Sequence, residues 1–185
     1  MLDPEGGGVN FARVLEEVSI FLDGKGYRYA LIGGVALAAY GFVRTNLDLD
    51  FVLDAEAAED VTRFLEARGY QTLRRSSGYS SHVHPDLLWG RVDILYARGK
   101  TSREIFSSCR PSVGPGGRAV LLPKPEHLAA MKALAMKNDP SRTFQEMADI
   151  RFLLGLPGVN RTEVRAYFER HEMKERFDEL DESTA

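Results

Sequence analysis

Three acidic residues, a pair of glycines and one lysine are the residues of this chain best suited to chemistry. Asp48-Leu49-Asp50 sets two carboxylates two positions apart in a segment, Leu47 to Leu53, that alternates Leu, Asp, Leu, Asp, Phe. Period two predicts a strand with both carboxylates on one face and Leu47, Leu49 and Phe51 on the other. Like charges so close repel and raise a pKa unless a cation lies between them. Their hard oxygens suit Mg²⁺ or Mn²⁺. A solvated strand edge is the alternative, and the strongly apolar flanks argue against it. Asp93 is a lone acid in Arg91-Val-Asp-Ile-Leu-Tyr96. An acid so placed faces a metal or partner, or is satisfied within the fold. Gly33-Gly34 follows a short apolar run; glycines let a phosphate approach backbone N–H groups closely, though plain turn chemistry is the more common reason for such a pair. Lys132 has Leu128, Ala129, Ala135 and Met136 as its helical neighbours. A lysine on such a stripe either snorkels to solvent or meets a negative ligand.

These residues need elements to position them. An apolar stripe at Phe11, Val14, Leu15, Val18, Phe21 and Leu22 predicts a first helix, ended by Asp23-Gly24-Lys25-Gly26. Tyr29 to Ile32 reads as a strand stopped by the glycine pair, and Val35 to Tyr40 as a short buried helix. After the Asp48 strand, Asp54 is placed to cap a helix over Ala55 to Arg68. Strand-like runs follow at Tyr70 to Arg74, Ser80 to His84 and Leu88 to Tyr96, then a short helix from Ser102 to Cys109 and a strand from Gly117 to Leu122. Cys109-Arg110-Pro111 reads as a loop. Beyond Pro123 the chain turns helical: Pro125 to Lys137, Arg142 to Leu154, and Arg161 to about Leu180. The expected fold class is α/β (α+β): a mixed sheet flanked by helices with a helical C-terminal part. The expected division is a disordered tail over 1–8, a core over 9–123, and a helical subdomain over 124–185 packed on that core.

Gly33-Gly34, thirteen residues, Asp48-Leu-Asp50 and a third Asp on a later strand together resemble the nucleotidyltransferase superfamily of the DNA polymerase beta type. The run Arg44-Thr45-Asn46-Leu47-Asp48-Leu49-Asp50 is similar to a motif of the AbiEii-type abortive-infection toxin branch, although Arg44 and Thr45 are adjacent here. Met131 to Lys137, then Arg142 and Ala148-Asp149-Ile150, look like that branch's lysine helix and the Asp-bearing helix after it. The resemblance spans about Tyr27 to Leu154. It implies two Mg²⁺ or Mn²⁺ ions clamping an in-line displacement, with Asp48 and Asp50 bridging them and Asp93 holding the ion nearer the acceptor hydroxyl. Gly33 and Gly34 would meet the outer phosphates of an NTP, and Lys132 would add a charge there. Arg44, Thr45 and Lys137 are further nucleotide contacts, with capping as the alternative for the first two. Asp149 would pair with Arg142 or orient Lys132. The implied reaction moves an NMP to an acceptor hydroxyl and releases pyrophosphate. The branch implies an RNA or tRNA acceptor and a cognate antitoxin. An aminoglycoside-like small molecule is the second acceptor class, and a catalytically silent nucleotide-binding or antitoxin-like module is the rival outside enzymes.

Composition narrows the field. With 185 residues, 44% hydrophobic, the chain can bury a core without staples. Its single cysteine, Cys109, excludes a disulfide framework and a four-cysteine zinc site, and fits a reducing cytoplasm. His82 and His84 share a predicted strand face but lack an evident third ligand. The uncharged run from Tyr29 to Val43 is fifteen residues long. That is short of the about 20 a membrane span needs, and it starts too far into the chain for a signal peptide. A net charge of −3 excludes coating of nucleic acid by bulk charge. Yet residues 71–151 sum to +6, while 1–70 sum to −6 and 152–185 to −3, so a local basic surface is compatible with the total.

Overall fold

A computed structural model describes residues 9–44 and 48–182. The tail expected over 1–8 lies outside the described residues, as do Thr45, Asn46 and Leu47. The chain divides after Pro123 into two compact units.

The first unit is mixed α/β. Its helices are α1 (Phe11–Lys25), α2 (Gly33–Ala39), α3 (Ala58–Glu66) and α4 (Gly99–Ser107). Its strands are β1 (Tyr29–Leu31), β2 (Asp48–Asp54), β3 (Gln71–Arg75), β4 (Tyr79–Val83), β5 (Arg91–Ala97), β6 (Arg110–Val113) and β7 (Ala119–Leu122). Five strands form one sheet in the order β1-β2-β5-β4-β3, and β6 pairs with β7 in a separate ribbon. Within the five, β2 and β5 run parallel and the other neighbours antiparallel.

The alternation in the sequence sets the two faces of this sheet. Leu49, Phe51 and Leu53 of β2, Val92, Ile94 and Tyr96 of β5, and Ser80 and His82 of β4 share one face and are all buried. Helix α3 lies on it, since the Thr72 hydroxyl donates to Glu66 of α3 (2.7 Å) and also meets His82 Nδ1 (3.1 Å). Helix α1 joins that layer through Phe21, stacked 4.1 Å from Phe64 of α3. Each fully buried large apolar side chain here contributes about 1.5–3 kcal/mol. The carboxylate face remains part-exposed.

Three local readings change. Asp54 accepts no capping bond from the turn that follows it. It takes both arms of the Arg28 guanidinium (2.8 and 2.9 Å) and the Ser102 hydroxyl instead. β6 begins at Arg110, inside the segment read as a loop at Cys109 to Pro111; Pro111 donates no ladder bond, which a two-stranded ribbon tolerates. In the second unit, the long last helix is two, α7 (Arg161–Arg170) and α8 (Lys174–Glu182). Glu172 takes a left-handed φ of 59°, and Met173 N–H donates back to Phe168 O at 2.9 Å. This is a C-terminal cap that usually announces itself with glycine; here the packing of Phe177 on Phe168, 5.6 Å between rings, accompanies the turn without one. The other helices of this unit are α5 (Pro125–Asn138) and α6 (Thr143–Leu154). Leu128, Ala133, Ile150, Leu153, Val164 and Phe168 form its core.

The two histidines separate. His84 lies past the end of β4, with Nδ1 accepting from Asp86 N–H (3.0 Å) and Nε2 near Arg68 O (3.1 Å). His82 is fully buried, its Nε2 2.8 Å from Ser80 Oγ. Burial holds its pKa below the ordinary imidazole value. The unfolded chain therefore binds a proton near its ordinary value of about 6.5 while the folded one resists it. Stability from this group is complete above that value and is lost as pH falls below it. Urea midpoints measured from pH 7.5 to 5.5 are expected to fall with pH, and the slope to flatten in His82→Gln. An equal slope in both proteins would assign the loss to other groups.

Candidate functional site

The site face is built by register. Asp50 of β2 stands directly opposite Asp93 of the parallel neighbour β5, and Asp48 opposite Arg91. Residues in register on adjacent strands project to the same side. One step further out, Ser81 of β4 pairs with Asp93, and Arg74 of β3 with Ser81. A row of polar residues therefore crosses four strands. Asp48 and Asp50 are half-buried, and Asp93 is 8% exposed.

Arg91 belongs to this face, and its role was not evident from sequence. Its Nε donates to Asp93 Oδ1 at 2.9 Å, and its Nη2 reaches Tyr79 Oη at 3.5 Å. Burial works against the guanidinium's charge, but the hydrogen bond and charge of Asp93 outweigh it, so its pKa is raised. Burial and then the Asp93 charge push the Tyr79 phenol up as well. The Ser81 hydroxyl is buried without a hydrogen-bond partner. The readable signal for Arg91 was its spacing, two residues before Asp93 on a strand and hence on the same face.

Gly33 joins the site from the first turn of α2. Ile32 N–H donates to Asp50 O at 3.0 Å, drawing the end of β1 onto β2. The next residue, Gly33, has φ +61°. A Cβ there would lie 1.9 Å from Asp50 Oδ2, 2.5 Å from Cγ and 2.8 Å from Cβ. The bare Cα is what lets Asp50 occupy its position. Gly34 is buried behind it. The Tyr40 hydroxyl, after α2, donates to Pro123 O at 2.8 Å. Arg44 is half-buried just past this helix, and Thr45 lies outside the described residues.

Asp48 and Asp50 share one face of β2, and the parallel pairing with β5 brings Asp93 beside Asp50. Among the described residues no group of three or more His, Cys, Asp or Glu side chains is gathered to hold a metal ion. The donor set is nevertheless of the right kind: hard oxygens on one face, with a cation, Arg91, already drawn against one of them. The residues fit a divalent cation in charge and donor type.

In the second unit Lys132 is buried, and its Nζ lies 2.5 Å from Asp149 Oδ2 and 2.9 Å from Glu146 Oε2. The structure thus joins Lys132 to Asp149. It adds Glu146, which sequence reading overlooked because nothing marks Glu146 apart from other helix-surface glutamates. Arg142 pairs with Glu146 Oε1 at 2.6 Å. Lys137 is not drawn to this cluster. Its exposed Nζ donates to His171 O at 3.0 Å, satisfying a carbonyl at the end of α7.

No protein-family model matches the chain, and neither does any curated protein. Solved structures do. The solution structure of the antibiotic-resistance factor ANT(2'')-Ia has a TM-score of 0.64 at 16% identity, covering 94% of this chain and 96% of that one. The lincosamide antibiotic adenylyltransferase LnuA has 0.52 at 16%, covering 80% and 98%. An antigenic nucleotidyltransferase-like protein from Paracoccidioides brasiliensis has 0.51 at 15%, covering 94% and 95%. At such identities the likeness is one of architecture. The mixed sheet, its flanking helices and these neighbours together establish that the chain has the nucleotidyltransferase fold.

Proposed function

We propose that the protein is a metal-dependent nucleotidyltransferase that moves an NMP from an NTP to an acceptor hydroxyl. The observation that carries this reading is the register: Asp50 beside Asp93, Asp48 on the same face, and Gly33 packed bare against Asp50. Asp48, Asp50 and Asp93 would hold two Mg²⁺ or Mn²⁺ ions; when bound, such ions neutralise phosphate charge and polarise the P–O bond. Asp93, on the β4 side of the row, would orient the acceptor hydroxyl and accept its proton. A bond forms from the acceptor oxygen to the α-phosphorus, and the bond to pyrophosphate breaks. Gly33 and Gly34 N–H groups would meet the outer phosphates. With only seven residues in α2, the contact would rest on those N–H groups rather than on a helix dipole. Arg44 and Thr45 border the same strand and remain candidates for phosphate or acceptor.

Two acceptor classes follow from different observations. The run Arg44 to Asp50 and the Lys132 and Asp149 helices favour RNA, in particular tRNA, with the protein acting as the AbiEii-type toxin of a toxin–antitoxin pair. The likeness to ANT(2'')-Ia and LnuA, both named for antibiotics, supports a small-molecule acceptor. None of the described helices is long and apolar enough to cross a membrane; the single cysteine supports a cytoplasmic setting.

The test is transfer of label from each α-labelled NTP in the presence of Mg²⁺, offered total tRNA in one arm and aminoglycosides and lincosamides in another. Asp50→Asn is expected to lower transfer by at least about 10²-fold while leaving the melting temperature near wild type. Full activity in that variant would refute the role given to Asp50. Nucleotide binding without transfer to any acceptor would favour the silent module. A growth defect on expression, relieved by Asp50→Asn, would support the toxin reading and justify a search for the antitoxin.

A further inference from the structure

We propose that Arg91 is a built-in counter-cation of Asp93 and competes with a divalent cation for that carboxylate. The inference rests on the metal reading above and adds a residue to it. Asp48, Asp50 and Asp93 bring three carboxylates to one side of two adjacent strands. Like charges so close repel one another. Arg91 enters the same face opposite Asp48 and two residues before Asp93, and its Nε holds Asp93 Oδ1 at 2.9 Å.

An ordinary strand-surface ion pair would leave both partners in solvent and contribute little. Here the Asp93 side chain is only 10% exposed while that of Arg91 is 38% exposed. The acid is fixed in the sheet, and the cation is the member with room to withdraw. Tyr79 gives Nη2 a weak second contact at 3.5 Å, which steadies the guanidinium without locking it.

The consequence is directional. Any cation bound through Asp93 meets a like charge hydrogen-bonded to the same carboxylate. Removing that charge raises cation affinity, by about tenfold or more in a partly desolvated site. It also leaves Asp93 without the cation hydrogen-bonded to it, so the metal-free protein is less stable. A purely structural arginine predicts the opposite: its loss would loosen Asp93 and weaken cation binding.

The experiment titrates the full chain with Mn²⁺ and follows the paramagnetic resonance signal of the free ion. Arg91→Gln is expected to bind Mn²⁺ at least about tenfold more tightly than wild type. It should melt lower than wild type without metal and gain more from added Mn²⁺. Equal or weaker binding by Arg91→Gln overturns the inference and leaves the proposed activity standing. Failure of both proteins to bind Mn²⁺ overturns the inference and the metal reading together. Should Arg91→Gln fail to fold, wild type alone decides. The Arg91 Nε–H resonance, assigned by its loss in Arg91→Lys, is expected to shift on addition of Mg²⁺; a resonance that does not move overturns the inference.

Discussion

Replacing Lys132 by methionine is expected to destabilise the second unit by about 3–5 kcal/mol, the cost of breaking a buried charge network from one side. The Lys132 side chain is 8% exposed, and those of Glu146 and Asp149 are 1% and 0%. Without the ammonium, Glu146 keeps only Arg142, whose side chain is 53% exposed. Asp149 Oδ1 also accepts from Gln145 Nε2, at 3.0 Å. The ammonium is the buried cation that both buried carboxylates share, and its loss leaves their charge less well compensated. Replacing all three members, Lys132→Met with Glu146→Leu and Asp149→Leu, removes the buried carboxylates together with their cation and is expected to recover most of the loss. Urea unfolding of the two variants checks this. A Lys132→Met protein within about 1 kcal/mol of wild type would show that the cluster is wetter than its burial implies. The triple variant also isolates the phosphate role given to Lys132. Both carboxylates already hold the ammonium, so a triphosphate would share it with them. If the folded triple variant still uses NTP normally, Lys132 is a structural residue.

Gly33→Ala is expected to lose both stability and transfer. A side chain at φ +61° costs about 1–2 kcal/mol in the left-handed region, and overpacking adds about 1–3 kcal/mol. The second contribution cannot be relieved by swinging away the tip of Asp50 alone. The added Cβ would press on Asp50 Cγ and Cβ as well as Oδ2, at 2.5, 2.8 and 1.9 Å. The strand must shift, and Asp50 with it, away from its register with Asp93. Gly26→Ala is the matched control, since Gly26 has φ +73° and nothing within 4 Å of its added Cβ. It is expected to show the backbone cost alone and unchanged transfer. Melting curves and the labelled-NTP assay on both variants separate strain from displacement. If Gly33→Ala matches Gly26→Ala in both measurements, the close approach of Gly33 to Asp50 has no functional weight.

How the two halves of the site could be read differs for physical reasons. Period-two alternation is local, so Asp48 and Asp50 could be placed on one face, away from Leu49 and Phe51, from seven residues alone. The glycine pair was legible as a turn, because only glycine takes a positive φ at little cost. Strand pairing depends on contacts far apart in the chain. That β5 lies beside β2 with Asp50 opposite Asp93 is decided by burial of Leu49, Phe51, Val92 and Ile94 in a common layer. Arg91 stands opposite Asp48 only because of that pairing.

The helical unit divides in the same way. Its three hydrophobic patterns gave helix positions, since 3.6-residue periodicity is also local. The break at Glu172 and the strand at Arg110 to Val113 went unread because each is stabilised by tertiary partners, Phe177 on Phe168 and β7 beside β6, without the usual glycine or against a proline. Sequence alone determined which side chains carry charge, which strongly patterned segments are helix or strand, and which residues share a face within one segment. Tertiary structure decided which faces meet: it set Asp93 beside Asp50 and closed two buried carboxylates around Lys132. Electrostatic partnership acts across space, and the chain's order does not encode those distances until burial has chosen the register.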